Sequence, residues 1–222
     1  MPFLLPDYQP EFCIFVYKST GIMEKKYVIT IGRQFGSGGR EIGQKLAKKL
    51  GVGYYDKELL QELEKATGLS ADYISGTDEQ PQGVWTHALA GILYDGIYTQ
   101  EQIFKYQSET IRKIAEKESC VIVGRCADYI LRDHPNCINT FIHAPIDFCV
   151  ERLYINDGIP RDKAADLAVK MNKKRSSYYN YYTDKKWGQI TSYHLTVDSS
   201  MLDMEGTMEL IAGFVERKMK KA

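Results

Sequence analysis

The sequence predicts an α/β fold built on a parallel sheet with helices on both faces. Short apolar segments alternate along the chain with longer amphipathic ones, which is the pattern of successive βαβ units. The first of these units has a glycine-rich turn between its strand and its helix. The length of 222 residues suits one domain, or one domain with a helical insert.

The glycine-rich turn is the most informative segment of the chain. Residues 27–31 are apolar and predict a buried strand, and residues 41–50 have the apolar spacing of an amphipathic helix. Gly36, Gly38 and Gly39 lie between them. Glycines let successive backbone N–H groups turn toward one anion, and the positive end of the helix dipole adds to the attraction. The segment therefore predicts a phosphate-binding loop.

This loop lacks the lysine of the usual G-x-x-x-x-G-K-[ST] pattern. If Gly38 fills the second glycine position, the lysine position falls on Gly39 and the Ser/Thr position on Arg40. We expect Arg40, helped by Arg33, to replace the lysine, because a guanidinium fork can grip phosphate oxygens. The alternative is a tight turn that binds nothing. The candidate phosphate-binding residues are Arg33, Gly36, Ser37, Gly38, Gly39, Arg40 and Glu41.

The rest of the chain continues the alternation. Further strands are predicted at residues 51–55, 120–123, 138–143 and 193–197. Helices are predicted at residues 57–63, 84–97, 127–131, 146–155, 161–182 and 204–218, and a capping-box pattern at residues 99–102 opens one more. Asp56 stands where the N-cap of the helix at residues 57–63 belongs.

Polar residues follow three of the predicted strands. The glycine loop follows the first strand, Asp56 follows the second, and Gly124 and Arg125 follow the third. Because the carboxyl ends of parallel strands meet at one edge of a sheet, these residues are expected to converge there. The sequence therefore predicts a ligand site at that edge.

Composition excludes some classes of partner. Lys and Arg total 29, and so do Asp and Glu, so the net charge of the chain is zero. The chain therefore has no overall positive charge that would attract nucleic acid or an anionic membrane. An anion site must therefore be local. The five cysteines are scattered and form no C-x-x-C pair, which indicates a reducing, cytoplasmic setting. The four histidines have no metal-binding spacing.

Residues 1–25 are expected to be an N-terminal extension. Their apolar runs are interrupted by prolines, are too short to span a bilayer, and lack the features of a secretory signal. We expect the native start to be Met23. The alternative is a real N-terminal arm that packs on the body or on a partner.

Four segments resemble the cytidylate kinase-like family of bacterial P-loop proteins, at residues 31–43, 54–60, 123–131 and 193–200. With the helices between them, the resemblance covers roughly residues 26–218. It implies a three-layer P-loop NTPase fold with a five-stranded parallel sheet and helices on both faces. It also implies a helical insert at about residues 70–118, a lid at about residues 152–188 and a tail at residues 219–222.

The resemblance implies an ATP-dependent phosphotransferase that uses Mg²⁺ and acts on a nucleoside monophosphate or another small acceptor. It implies that the acceptor is bound by Asp56, Gly124, Arg125 and Asp128. Here Lys57 and Glu58 replace the threonine and glycine of the family's acceptor segment, and Cys126 replaces an aspartate that Asp128 would compensate. The identity of the acceptor is therefore open.

The resemblance also implies which residues perform the transfer. Asp56 would orient or activate the acceptor, or hold magnesium through water, and Arg40 would stabilise the phosphates. The predicted lid brings cations to the transferring group, with Arg152, Arg161, Lys174 and Arg175 as candidates. The alternative places Arg152 and Arg161 in surface ion pairs with Glu151 or Asp162. Ser37 or Glu41 would replace the missing Ser/Thr ligand of magnesium.

Two alternatives to these assignments stay open. The missing lysine also suits a non-catalytic regulator that binds nucleotide through a degenerate P-loop. The aromatic residues 178–182 and Trp187 could stack on a base, although a packed cluster is favoured because half of such a run faces inward on a helix. The apolar residues at 84–98 favour burial against a second copy, and hence a homodimer.

Overall fold

The computed structural model describes residues 25–56, 58–67 and 99–221. Most of the predicted N-terminal extension and the predicted helix at residues 84–97 lie outside the described residues. Among the helices that are described, none combines the length and the apolar character needed to cross a membrane.

Five parallel strands form one sheet, as predicted. They are β1 (Val28–Arg33), β2 (Gly53–Tyr55), β3 (Cys120–Val123), β4 (Cys137–His143) and β5 (Leu195–Asp198). Their order across the sheet is β2-β3-β1-β4-β5, and Val28 of β1 pairs with Cys120 on one side and Cys137 on the other. The loop that follows β1 therefore lies at the middle of the carboxyl edge.

Seven helices are present in the described part of the chain. They are α1 (Gly39–Leu50), α2 (Glu58–Thr67), α3 (Gln100–Lys117), α4 (Ala127–Ile130), α5 (Ile146–Asp157), α6 (Arg161–Thr183) and α7 (Met204–Met219). A short 3₁₀ turn at Ile190–Ser192 precedes β5.

Alternate residues of β1 enter two separate cores, as the two-residue period of a strand requires. Val28 packs with side chains of α2, α3, α4 and α6 on one face of the sheet. Ile29 and Ile31 pack with side chains of α1 and α7 on the other face. The sheet is buried on both sides, and the predicted three-layer fold is confirmed.

The predicted lid contains a helical hairpin formed by α5 and α6. Leu153 of α5 packs against Ala164 and Ala168 of α6, and the small side chains let the two helices approach. Gly158 ends α5 in a left-handed conformation with φ of 67°. The hairpin extends from the carboxyl edge of the sheet.

Two local predictions differ from the structure. Asp56 lies two residues before α2, and its carboxylate faces arginine side chains. The last strand begins at Leu195, later than predicted, because the 3₁₀ turn precedes it. Tyr193 packs instead against the ring of Phe141, with 4.9 Å between ring centroids.

The predicted capping box of α3 is confirmed, and it offers a test of local stability. Thr99 Oγ1 accepts the Gln102 N–H at 3.3 Å, and Gln102 Oε1 accepts the Thr99 N–H at 2.7 Å. We expect Thr99→Ala to lower the free energy of unfolding by about 1 kcal/mol. Chemical denaturation measures the change, and Thr99→Ser is expected to retain most of the stability. An equal loss in both variants would show that the hydroxyl does not cap the helix.

Candidate functional site

The glycine loop between β1 and α1 has a backbone that requires glycine. Gly36 and Gly38 have φ of 82° and 79°, in the left-handed region. A Cβ on Gly36 would also lie 2.7 Å from the Cβ of Cys149 in α5. The loop therefore packs directly against α5, and a side chain at residue 36 would separate them.

The N-terminus of α1 is open to a ligand. Gly38 is the N-cap and has no side chain with which to cap the helix, so the first-turn N–H groups keep their capacity to bind an anion. The hydroxyl of Ser37 is used elsewhere, because it is fully buried and donates to the Gln34 carbonyl at 2.9 Å. Ser37 can therefore contribute its backbone to a phosphate site, but its hydroxyl does not face a metal.

The loop opens into a cavity of about 740 Å³ at the carboxyl edge of the sheet. Its walls come from the ends of β1 and β3, from Asp56, and from α5 and α6. The cationic side chains that line it are Arg33, Arg40, Arg125, Arg152, Lys174 and Arg175, and the acidic ones are Glu41, Asp56, Asp128 and Asp157. All the predicted site residues except Ser37 and Arg161 line this cavity.

Asp56 binds both arginines of the loop region. Its Oδ2 lies 2.5 Å from Arg40 Nε, and its Oδ1 lies 4.0 Å from Arg33 Nη2. The Asp56 side chain is only 8% exposed, so this carboxylate is shielded from water. Asp56 therefore holds the guanidinium of Arg40 directly and places a negative charge beside that of Arg33.

The turn after β3 has an unusual backbone. Gly124, Arg125 and Cys126 all have positive φ, of 76°, 60° and 53°. A Cβ on Gly124 would collide with the guanidinium of Arg33, so the glycine makes room for that side chain. Such a run of left-handed residues persists only where the surroundings hold it, and runs of this kind are typical of functional sites.

Arg125 is partly buried at this turn. Burial lowers the pKa of its guanidinium, and Tyr178 and Asp56 act in the opposite direction. The group still carries its charge at neutral pH because a guanidinium does not deprotonate in proteins. Gln107 of α3 donates from Nε2 to the Arg125 carbonyl at 3.1 Å and to the Tyr178 hydroxyl at 3.3 Å. Sequence reasoning missed Gln107, whose partners are distant in sequence.

The hairpin of α5 and α6 supplies three of its four predicted cations to the cavity. Arg152 Nη2 lies 3.0 Å from Glu41 Oε2, and Arg175 Nη1 donates to the Arg33 carbonyl at 3.2 Å. Lys174 also lines the cavity. Asn172 was missed by sequence reasoning, and its side-chain oxygen accepts the N–H of Phe35 at 2.7 Å, which ties α6 to the glycine loop.

Arg161 lies outside the cavity. Its Nε and Nη2 each donate to the Glu151 carboxylate at 2.8 Å, and its guanidinium lies 3.7 Å from the centroid of the Tyr154 ring. Its side chain is 53% exposed. This arrangement is the surface ion pair that the sequence left as the alternative, and the structure separates Arg161 from the other predicted lid cations.

The inner part of the cavity is aromatic. Tyr179 donates to Asp128 Oδ2 at 2.6 Å. Tyr178 and Tyr182 pack with Phe104, whose ring stacks on Tyr182 with 4.1 Å between centroids. The packed aromatic cluster is thus confirmed. The aromatic residues that line the cavity are Phe35, Tyr178, Tyr179, Trp187 and Tyr193.

Asp128 is expected to give the protein a measurable pH dependence. Burial raises its pKa above the ordinary 3.8, although the Tyr179 bond lowers it. The stability linked to its protonation is therefore complete below about pH 3.8 and is lost as the pH rises through the higher folded-state pKa. In Asp128→Asn the side-chain amide carries no charge and can still accept the Tyr179 hydroxyl. As the pH rises from about 3.8 through the folded-state pKa of Asp128, we expect the free energy of unfolding of the wild type to fall relative to that of this variant.

Unfolding free energies of the two proteins, measured by denaturant titration between about pH 3 and pH 8, test this expectation. The difference is expected to stop changing above the folded-state pKa. A difference that stays constant over the whole range, or that changes in the opposite sense, would contradict the assignment.

The fold matches those of known structures. A protein of Eubacterium ventriosum described only as uncharacterised has a crystal structure with a TM-score of 0.67 and 32% identity, over 86% of this chain and 99% of that one. Shikimate kinase from Bacteroides thetaiotaomicron matches with a TM-score of 0.53 and 16% identity, over 86% and 98% of the two chains. At that identity the second likeness concerns the fold alone, which is that of P-loop kinases.

Sequence relatives agree on the family. The chain is similar to a cytidylate kinase of Aeropyrum pernix, with 24% identity over 82% of this chain and 95% of the relative. It is also similar to a cytidylate kinase of Methanocaldococcus jannaschii, with 22% identity over 87% and 99% of the two chains. The model of the cytidylate kinase-like family matches residues 28–201, well over half of the sequence. With the glycine loop and the cation-lined cavity inside that range, the chain belongs to the cytidylate kinase-like family.

Proposed function

We propose that the protein is an ATP-dependent phosphotransferase whose acceptor is a nucleoside monophosphate or another small molecule. The observation that carries the proposal is the cavity, in which an uncapped helix N-terminus faces six cationic side chains. Phosphoryl transfer needs alignment and positive charge around the transferred group more than it needs covalent chemistry. The cations of this cavity come from the carboxyl edge of the sheet, from the start of α1 and from the hairpin of α5 and α6.

On the donor side, the loop N–H groups at Gly36, Gly38 and Gly39 would hold the phosphates of ATP. Arg40 and Arg152 would supply the charge that a P-loop lysine supplies elsewhere. Both side chains line the cavity next to the loop. Two arginines can spread their positive charge over several phosphate oxygens, as the transfer requires.

On the acceptor side, Arg125 and Asp56 would bind and orient the second substrate. Arg125 lies at the end of β3, and Asp56 lies at the end of β2, so both project from the half of the sheet next to the glycine loop. Gly124 shapes the turn, and Asp128 lines the inner part of the cavity. The two relatives named cytidylate kinase support a nucleotide as the acceptor.

Magnesium fits the donor set of this cavity. Magnesium in such sites takes one or two carboxylates together with substrate phosphates, and it needs no complete protein cage. In the described chain no group of three or more His, Cys, Asp or Glu side chains forms such a cage. Glu41 and Asp56 are the carboxylates in the cavity next to the loop, so the ligand of the ion would come from this pair. When bound, it would neutralise charge on the phosphates.

A coupled assay of ADP release tests the proposal. ATP and Mg²⁺ are supplied with CMP, dCMP, UMP, other nucleotides and then small hydroxylated metabolites. We expect ADP release that depends on one class of acceptor. We also expect the rate of ADP release to be lower in Lys174→Ala than in the wild type. Lys173→Ala is the matched control, since its side chain neighbours Lys174 but does not line the cavity. Equal activity in both variants would place the reaction elsewhere.

A nucleotide-binding regulator is the second candidate, and two observations favour it. Arg40 is bound to Asp56, and the Ser37 hydroxyl is committed to a backbone carbonyl. Each of these groups was predicted to replace a missing part of the usual P-loop, and in the structure each one is engaged by another partner. Tight ATP binding by calorimetry, without turnover for any acceptor, would favour the regulator.

We also propose a cytoplasmic homodimer. Four cysteines, Cys120, Cys126, Cys137 and Cys149, are buried free thiols, which suits a reducing compartment.

The dimer rests on the apolar sequence at residues 84–98, which lies outside the described residues. Light scattering at micromolar concentration tests it, and a monomer mass would refute it.

A further inference from the structure

The pair formed by Glu41 and Arg152 lies beside the glycine loop and lines the cavity. Glu41 lies in the first turn of α1, and Arg152 reaches it from α5, with 3.0 Å between Nη2 and Oε2. The other carboxylate oxygen of Glu41 lies 3.6 Å from Lys45 Nζ. Both oxygens of Glu41 therefore face cations in the structure.

Arg152 occupies a position that is electrostatically unfavourable without its partner. Its Cζ lies 3.4 Å from the position that a Cβ on Gly38 would take, next to the positive end of the α1 dipole. A guanidinium is repelled by that end of a helix, whereas a phosphate is attracted to it. Glu41 offsets the repulsion, so the pair balances charge at the place where the loop would receive an anion.

A phosphate at the loop would change the partners of both side chains. Arg152 would gain an anion that binds guanidinium more strongly than a half-exposed carboxylate does. Glu41 would then be left with Lys45 alone, beside phosphate oxygens. A carboxylate next to phosphates is the donor set that Mg²⁺ prefers.

Glu41 is also the residue best placed to take over from the unavailable serine. The Ser37 hydroxyl is buried against the carbonyls of Gln34 and Ile142. Asp56 is occupied by Arg40 at 2.5 Å. Among the described acidic residues that line the cavity, Glu41 alone belongs to α1 and follows the loop directly.

We propose that Glu41 and Arg152 exchange partners when nucleotide binds, with Arg152 moving to phosphate and Glu41 becoming a ligand of the divalent cation. The inference rests on the proposed function, because it assumes that nucleotide binds at this loop. It assigns to Glu41 the position that a serine or threonine hydroxyl holds in the usual pattern. The same ion pair would keep Glu41 from binding a metal before nucleotide arrives.

Electron paramagnetic resonance of Mn²⁺ tests the exchange without turnover. Protein is kept in excess over ADP, so that all ADP is bound, and Mn²⁺ is titrated into the complex. We expect Glu41→Gln to weaken Mn²⁺ binding by roughly tenfold or more. Even the mutation of a residue that only hydrogen-bonds to a metal ligand lowers metal affinity by that factor. In a parallel titration of the nucleotide-free protein, Arg152→Ala removes the cation that occupies Glu41. We expect this variant to bind Mn²⁺ about two- to fivefold more tightly than the nucleotide-free wild type.

Glu205→Gln is the matched control. Glu205 contacts the same Lys45 Nζ, at 3.4 Å, but does not line the cavity, so Mn²⁺ binding should be unchanged. Equal Mn²⁺ affinity in the wild type and Glu41→Gln, or weaker affinity in Arg152→Ala, would overturn the inference and leave the nucleotide site intact. Failure of the wild type to bind ADP in a calorimetric titration would overturn the proposed function as well.

Discussion

Replacing Arg152 with alanine is expected to lower the rate of phosphoryl transfer by about a thousandfold. Arginines that stabilise the transferring group contribute on the order of a thousandfold or more, because they place positive charge where the transition state needs it. Arg152 reaches the first turn of α1 through Glu41 and lies beside Gly38 of the glycine loop. Steady-state kinetics with saturating ATP measures the effect on kcat.

Arg161→Ala is the control for this experiment. Arg161 lies at the start of α6, is bonded to Glu151 and is 53% exposed, so its loss should change kcat by less than about twofold and stability only slightly. Equal losses in the two variants would mean that Arg161 reaches the reacting groups in a closed state. The assignment of the lid cations would then be wrong.

Replacing Asp56 with alanine is expected to reduce both stability and activity. The variant leaves the guanidinium groups of Arg33 and Arg40 close together without their shared anion. Loss of one partner of a fully buried ion pair costs roughly 3–5 kcal/mol. Because Arg40 is about half exposed, we expect a smaller loss of about 2 kcal/mol in the free energy of unfolding.

The same change should lower kcat/KM for the acceptor by about a hundredfold, since two cations of the site lose their orientation. Denaturant titration and steady-state kinetics measure the two effects. Asp133→Ala removes a carboxylate that is 88% exposed beside Arg132, and it should alter neither. Full activity in a folded Asp56→Ala protein would show that the arginines do not depend on Asp56.

The sheet and its layers were predictable because their signals are local. Each buried strand is a continuous apolar run, as at Cys120–Val123, where all four residues are buried. The glycines at positions 36 and 38 mark a backbone that only glycine adopts easily, and both have positive φ. Such features depend on a few adjacent residues, so sequence spacing suffices.

That Arg152 lines the cavity and Arg161 does not was not predictable in the same way. Both arginines occur in the same polar segment, nine positions apart, and either could have faced the loop. What separates them is the packing of α5 against the loop at Gly36, which brings Arg152 to Glu41, 111 positions earlier in the chain. Tertiary contacts of this range leave no mark on local sequence patterns.

Asp56 and Gln107 illustrate two further limits. The position of Asp56 before a helix suggested a cap. Its carboxylate is instead paired with Arg33 at the end of β1 and Arg40 in α1. Gln107 resembles any polar residue of an amphipathic helix, and only the fold brings it to the carbonyl of Arg125. Residues that support a site through hydrogen bonds to its backbone can be identified only when the structure of that backbone is known.

Phosphorus NMR tests the central claim, that the cavity transfers phosphate to a second molecule and not to water. ATP, Mg²⁺ and the acceptor selected by the coupled assay are mixed with the wild-type protein, and the resonances are followed over time. We predict that ADP and a phosphorylated acceptor appear together in equal amounts, and that neither appears without the acceptor. ADP and inorganic phosphate forming at the same rate with and without acceptor would contradict the account.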